Sequence, residues 1–301
     1  MISFEEGEAN LNWLHLCDAF EAGHRRPKAQ IEDTFLHRGP DTLLTRSAWI
    51  DGMGVAVKST TVYPGNPAKG RPMIDGCFNI YSDADGRLDA IIDFFLVTKW
   101  KTAGDSLCAA RRLARPDSER ILIIGAGVVG RSLFDAYRAA FPTAKFTLWN
   151  RSPDRAKEMA ADCPGLRVAD DLETAVKAAD IITSATPSTE PLIKGAWLHP
   201  GQHVDLIGAF TPNMREADDA VFQRGRVFVD SYDTILGHIG EIQIPLDSGA
   251  ITRDDILASY YEPEAFGRNS DEEITVFKNG GGAHLDLMTG HYILETWRAT
   301  T

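Results

Sequence analysis

Hydrophobic positions divide the chain into two patterns. Near the start, apolar residues at 11, 14, 16 and 20 share one face of a helix over 11–23, and Gly23 supplies its stop. From about 41 to 97 the runs become short and β-like: TLLTRSAWI, GVAVKSTTVY, CFNIYS and LDAIIDFFLV. The turn clusters PGNPAKGRP (64–72) and DADGR (83–87) lie between them, and Asp-Ala-Asp-Gly is a hairpin signal, so this part is expected to form an antiparallel or mixed sheet. A helix over about 99–114 then stops at Arg115-Pro116-Asp117, the sharpest break in the chain.

Beyond that break, strands and helices alternate. RILIIGAG reads as a buried strand and VVGRSLFDAYRAAF as a helix; KFTLWN and DRAKEMAAD repeat the pair; VKAADIITSAT, QHVDLIGAF and RVFVDS add strands. Alternation over 120–230 predicts a parallel sheet covered by helices on both faces. A last helix is expected over about 282–297.

Composition narrows the class without changing that picture. The 301 residues suggest about two domains, and 44% hydrophobic with 25% charged residues fits a soluble globular protein. No run approaches the roughly 18 uncharged apolar residues of a membrane span; AIIDFFLV (90–97) is short and carries Asp93. The opening MISFEEGEANLNW lacks the basic start and apolar core of a secretory signal. Thirty-one Lys and Arg against 43 Asp and Glu leave a net charge of −12, which argues against nucleic acid as a partner. The basic runs HRRPK (24–28) and RRLAR (111–115) read as solvated faces. Cys17, Cys77, Cys108 and Cys163 stand apart with no CxxC, which fits reduced thiols in a cytoplasmic protein, and no Cys/His pattern calls for a metal.

The chemistry concentrates in Gly125-Ala126-Gly127-Val128-Val129-Gly130, a GxGxxG that follows four aliphatic residues and opens a helix. In that context Gly125 permits the tight turn, Gly127 lets the backbone approach a pyrophosphate, and Gly130 lets helix and strand pack closely. The helix start offers free N–H groups to the anion. Twenty residues past Gly130 comes Asn150-Arg151-Ser152, with no Asp or Glu at 149–153 to accept from a ribose 2′-hydroxyl; Asp154 falls later. Donors and a positive charge in place of a carboxylate favour NADP(H), with NAD(H) still open.

With these motifs in order, the chain resembles the ornithine cyclodeaminase/mu-crystallin family. The resemblance rests on GVAVKSTTVYPGN (54–66), DFFLVTKWKTAGDSLCAARRLA (93–114), ILIIGAGVVG (121–130), VDLIGAFTPNMREAD (204–218) and ITVFKNGGGAHLD (274–286). It implies an α/β protein: a Rossmann NAD(P)-binding domain over 116–284, and a mixed α/β substrate and dimerisation domain over 1–115 with the helix 285–301. It implies a homodimer acting on a small imino or amino acid. It also places Arg38 and Lys101 on the substrate carboxylate, with Arg46 as a rival to Arg38, and makes Lys58 the active-site lysine. Lysine at 101, where most members have arginine, cannot make the planar bidentate fork. Asp286 matches an acidic position near the nicotinamide pocket, and Glu241 is a weaker candidate of that kind.

One departure separates activities. Where the cyclodeaminase branch carries an Asp that binds the substrate's amino groups, this chain has Phe210. A phenyl ring can neither neutralise an ammonium nor relay a proton, but it suits the hydrocarbon side of a cyclic imino acid. The expectation is therefore an NAD(P)H-dependent reductase of a ketimine such as Δ1-pyrroline-2-carboxylate, ahead of ornithine deamination or a related amino-acid dehydrogenase, with a non-enzymatic cofactor-binding protein last. Trp49, Trp100 and Trp149 read as core, with Trp100 the one aromatic that merits testing beside Lys101.

Overall fold

Ser3 and Glu6 close a capping box on α1 (Phe4–Glu8), and Asn12 accepts the Leu14 and His15 N–H groups to start α2 (Trp13–His24). Five antiparallel strands follow: β1 (Gln30–Arg38), β2 (Asp41–Ile50), β3 (Gly54–Val62), β4 (Ile74–Tyr81) and β5 (Leu88–Ile92). They form one sheet in chain order, and the Asp-Ala-Asp-Gly turn joins β4 to β5 as expected. The strand β1, which the pattern did not mark, lies at the sheet edge with almost every residue exposed, so it carries no apolar alternation to read. The run LDAIIDFFLV does not stay extended. Asp93 accepts the Leu96 N–H and turns the chain into α3 (Phe94–Leu113), five residues before the helix expected from sequence.

Next comes the alternating half: β6 (Arg120–Ile124), α4 (Val128–Ala140), β7 (Lys145–Trp149), α5 (Pro153–Asp162), β8 (Leu166–Val168), α6 (Leu172–Ala178), β9 (Ile181–Ser184) and β10 (His203–Leu206). It continues through α7 (Asp219–Arg224), β11 (Arg226–Val229), α8 (Tyr232–Ile235), α9 (Gly240–Asp247), β12 (Ile256–Ala258) and β13 (Thr275–Lys278). All eight strands pair in parallel, in the order β12-β11-β13-β10-β9-β6-β7-β8. The chain leaves β6 toward β7 and β8, then returns to place β9 on the other side of β6. That reversal is a topological switch point, where open α/β sheets bind ligands beyond the carboxyl ends of their strands. Buried Ile, Val and Leu side chains from β6, β9, β10 and β11 make the core of this half. The last helix, α10 (Ala283–Thr300), packs back against α2 and against β2 and β3.

The computed structural model describes residues 1–300, in two compact units: Met1–Lys101 with the chain from Gly281 on, and Thr102–Gly280. The expected boundary at 115/116 and the return at 285 therefore shift to 101/102 and 280/281. Arg115-Pro116 ends a helix, as its chemistry requires, but α3 itself runs from one unit into the other, so a helix stop is not the domain boundary. Among the described residues no helix is long and apolar enough to cross a membrane.

Candidate active site

In β3 the pattern of burial alternates, and Gly54, Ala56 and Lys58 face the buried side of the sheet. A strand period of two thus puts an ammonium among core positions. Antiparallel register sets Lys58 opposite Arg46 on β2 and Phe78 on β4, while Arg46 lies opposite Asp33 on β1. Arg46 holds Asp33 through Nε and Nη2, the shortest contact being 2.7 Å. The first turn of α10 brings Asp286, whose Oδ1 accepts from Lys58 Nζ at 2.9 Å, with both side chains buried. Lys58 Nζ also sits 4.9 Å from the centroid of the Phe94 ring.

Two further cations join through one carbonyl. Gly281 O accepts from Arg46 Nη1 at 2.8 Å and from Lys101 Nζ at 3.1 Å. Arg46, Lys58, Lys101 and Asp286 therefore form one cluster, all within the first unit. Burial pushes Lys58 down from the ordinary lysine range to about 8; Asp286 opposes this, and Lys101 and Arg46 reinforce it. Burial alone would raise Asp286, but Lys58, Lys101 and Arg46 more than offset it and hold its carboxyl below the usual carboxylate value. The second oxygen, Asp286 Oδ2, is buried and meets no donor.

The structure does not bring Arg38 to this cluster. Arg38 ends β1 at a tight hairpin, pairs with its near neighbour Asp41 at 3.0 Å, and is 79% exposed at the side chain. Eight residues further along, its rival Arg46 does join the cluster, through Gly281 O. Trp100 is core: it stacks on Trp13 with ring centroids 3.8 Å apart and donates to Glu8. Phe210 lies in the second unit, in the loop after β10, and is 70% exposed. Trp49 is exposed rather than core, and Trp149 packs half-buried on the second unit's core.

The glycine loop has the form that its spacing predicts. Gly125 holds φ at 111°, and a Cβ there would lie 2.7 Å from Ala185 O. A Cβ on Gly130 would lie 2.0 Å from Gly125 O, so the helix can approach the strand only without one. At Gly127 a Cβ would meet nothing within 4 Å, and Gly127 caps α4 without any side-chain bond. An uncapped 13-residue helix that opens onto free space, at the carboxyl end of β6, fits a dinucleotide pyrophosphate. Ala126, Val128 and Val129 belong to the same turn, and Val128 is 82% exposed.

Asn150 departs from its expected part. Its Oδ1 accepts the Ala126 N–H at 3.0 Å and its Nδ2 donates to Ser152 O at 2.9 Å. The amide thus fixes the glycine loop through its oxygen and spends one of its two N–H groups on Ser152 O. Arg151 is exposed, and Ser152 caps α5 without spending its hydroxyl on the helix. Glu241 is likewise structural in its contacts: fully buried, it accepts the N–H groups of Glu216 and Ala217. Sequence reasoning missed Asp33, Glu216 and Lys278, because each acquires its partners only through strand pairing or loop packing.

The family model for ornithine cyclodeaminase/mu-crystallin proteins matches residues 47–301. The chain belongs to this family. It is 48% identical over 300 residues to the Δ1-pyrroline-2-carboxylate reductase of Paracoccus denitrificans, covering 97% of this chain and 95% of that protein. Among solved structures it resembles the Thermococcus litoralis Δ1-pyrroline-2-carboxylate reductase in complex with NADH and L-proline, with a TM-score of 0.91, 25% identity, and coverage of 99% and 97% of the two chains. It also resembles an archaeal alanine dehydrogenase dimer with bound NAD, with a TM-score of 0.90, 27% identity, and coverage of 99% and 96%. The Rossmann-type sheet expected from the sequence is thus the fold of this family member.

The cluster itself makes a prediction that needs no substrate. Asp286→Asn removes the anion bonded to Lys58 and leaves Lys101 and Arg46 beside it. The Lys58 pKa is then expected to fall below its value of about 8, read from the pH dependence of its side-chain carbon shift. An unchanged midpoint would show that the carboxylate does not set the charge on Lys58.

Proposed function

We propose that this protein is an NAD(P)H-dependent reductase of a cyclic α-imino acid of the Δ1-pyrroline-2-carboxylate kind, yielding an L-proline-like amino acid. The observation that carries the reading is the buried Lys58–Asp286 pair with Lys101 and Arg46 beside it, in a chain nearly half identical to a reductase of that substrate. Arg46 and Lys101 hold the carboxylate by charge-assisted hydrogen bonds. A dinucleotide whose pyrophosphate is held by Gly125–Gly130 would, in its reduced form, supply the hydride that an imine carbon needs.

Lys58 handles the proton. As hydride reaches carbon, the C=N electron pair moves to nitrogen, and the Lys58 ammonium donates a proton to that nitrogen. A lysine brought down to about 8 gives up its proton more readily than an ordinary one. Asp286 Oδ1 aims the ammonium, and the donor-less Oδ2 suits the N–H of the amine product. Phe210 presents an exposed apolar ring that suits the hydrocarbon ring of such a substrate.

Purified protein mixed with the imino acid and NADH or NADPH is expected to consume the cofactor absorbance; no loss with either cofactor defeats the reading. Because the Lys58 ammonium is present below pH about 8 and lost as pH rises through it, the rate is expected to fall on the alkaline side. Lys58→Met should lower the rate by about 10²–10⁴-fold and abolish that alkaline limb. Arg46→Ala is expected to raise the KM for the imino acid by at least about tenfold, whereas Arg38→Ala leaves it unchanged; the reverse result would restore Arg38 to the site.

The preference for NADP(H) rests on Arg151 and Ser152, with no carboxylate at 149–153. Arg151→Ala is expected to weaken NADPH and spare NADH, and equal weakening of both would remove the preference. Homodimer formation is supported by Phe35 and Leu36, 55% and 69% exposed on the edge strand β1, and by the dimeric alanine dehydrogenase relative. Exposed apolar residues on an unpaired edge are usually covered, and a second copy is the occupant proposed. Phe35→Lys combined with Leu36→Glu should convert a dimer to a monomer in light scattering, and a wild-type monomer would refute it.

A further inference from the structure

We propose that Glu216 is a positioning residue for the dinucleotide: its carboxylate latches the loop after β9 to the loop after β10, and so shapes the wall of the switch-point crevice that faces the glycine loop. The proposal rests on the reading that a nicotinamide dinucleotide binds at Gly125–Gly130. No bound group is needed to see the latch itself, because every part of it lies in the second unit.

Glu216 is fully buried, and the chain gives each of its oxygens work to do. Oε1 accepts from the Ser184 hydroxyl at 2.5 Å, from the Thr186 N–H at 2.7 Å and from the Thr186 hydroxyl at 2.8 Å. Oε2 accepts from the Gly208 N–H at 2.5 Å. Ser184 ends β9 and Thr186 is the second residue of the loop after it, while Gly208 is the second residue of the loop after β10, so one carboxylate spans two neighbouring loops. The loop after β9 also touches the glycine loop. Ala185 N donates to Ile124 O at 2.9 Å, and Ala185 O is the atom that a Cβ on Gly125 would strike. A shift at Thr186 is therefore a shift in the space available beside Gly125.

The latch has its own support. Glu241, from α9, accepts the Glu216 N–H at 2.6 Å and the Ala217 N–H at 3.0 Å, and so fixes the backbone on which Glu216 stands. Lys278, at the end of β13 and fully buried, donates to Leu206 O at 3.0 Å, two residues before Gly208. Its charge opposes the rise that burial imposes on the Glu216 and Glu241 carboxyls. Two buried carboxylates and a buried lysine are a costly way to tie loops unless the loops must be held in one arrangement. Backbone N–H groups can only donate, so both Glu216 oxygens must remain acceptors.

Glu216→Gln tests this directly, since it turns one acceptor into an NH2 that opposes a backbone N–H. NADH and NADPH binding is read by fluorescence titration without imino acid, beside amide exchange at Thr186 and Gly208 and the thermal midpoint. The expected result is faster exchange at those two amides and a dissociation constant raised about tenfold. At saturating cofactor, kcat should stay within about twofold, because no reacting atom is touched. Thr186→Val removes one donor and keeps the carboxylate; it should shift the constant the same way, by about threefold, and serves if Glu216→Gln does not fold. Faster loop exchange with an unchanged dissociation constant would overturn the proposal, as would a loss confined to kcat. A wild-type chain that binds neither cofactor would instead overturn the dinucleotide reading on which it rests.

Discussion

The buried ion pair between Lys58 and Asp286 is the constraint around which the first unit is arranged. Taking an ammonium and a carboxylate out of water costs several kcal/mol per ion, and mutual attraction repays this only with good geometry. The pair needs β3 in a register that turns Lys58 inward, and it needs α10 to present its first turn to the same face. A chain that only sought stability would fill both positions with apolar residues. Keeping the pair, with two more cations close by, fits a site whose task is to hold charge on a small molecule.

Two buried polar sets in this chain show how the same energetics serve different ends. In the second unit Glu216 has donors on both oxygens, and its neighbour Glu241 is occupied on both as well. Saturated carboxylates of this kind stiffen what they touch. Asp286 is the opposite case: Oδ1 is engaged and Oδ2 is buried with no donor. An unsatisfied buried acceptor costs about 1–3 kcal/mol, and it is retained where an incoming N–H can satisfy it.

Much of this was legible along the chain, and the reason for each failure is physical. The glycine loop reads well because its rules are local: a strand before, a helix after, and a Gly130 that must approach Gly125 O without a Cβ. Lys58 reads well because a lone lysine interrupts an apolar alternation. Arg38 stays away from the cluster because the pairing of β2 with β3 sets Arg46 level with Lys58, while Arg38 sits at the hairpin end of β1, a strand too exposed to show a period. Asn150 reads as a donor toward the cofactor, and its second part, accepting the Ala126 N–H, is invisible along the chain because the two residues lie 24 positions apart. Glu216 and Lys278 could not be found at all, since the loops they join are separated by long stretches of sequence. The boundary slipped for a related reason: proline stops helices, whereas units end where packing does, and α3 does not stop where the first unit does.

The arrangement of cations explains why Arg46 suits a carboxylate better than its chemistry alone would suggest. On an antiparallel pair, directly opposed like charges are destabilising, yet Arg46 faces Lys58 across β2 and β3. Asp33 relieves part of that repulsion from the outer side and fixes the plane of the guanidinium by two of its nitrogens. The remaining nitrogen, Nη1, shares Gly281 O with Lys101. A neutral carbonyl is a weak partner for two cations, and a carboxylate at that point would receive both through charge-assisted bonds about twice as strong as neutral ones. Because Asp33, Gly281 and the strand register hold these donors in place beforehand, little reorganisation is needed when such an anion arrives. Lysine at 101 fits this arrangement, since beside an Arg46 whose Nε and Nη2 are held by Asp33 the second contact needs only a point charge.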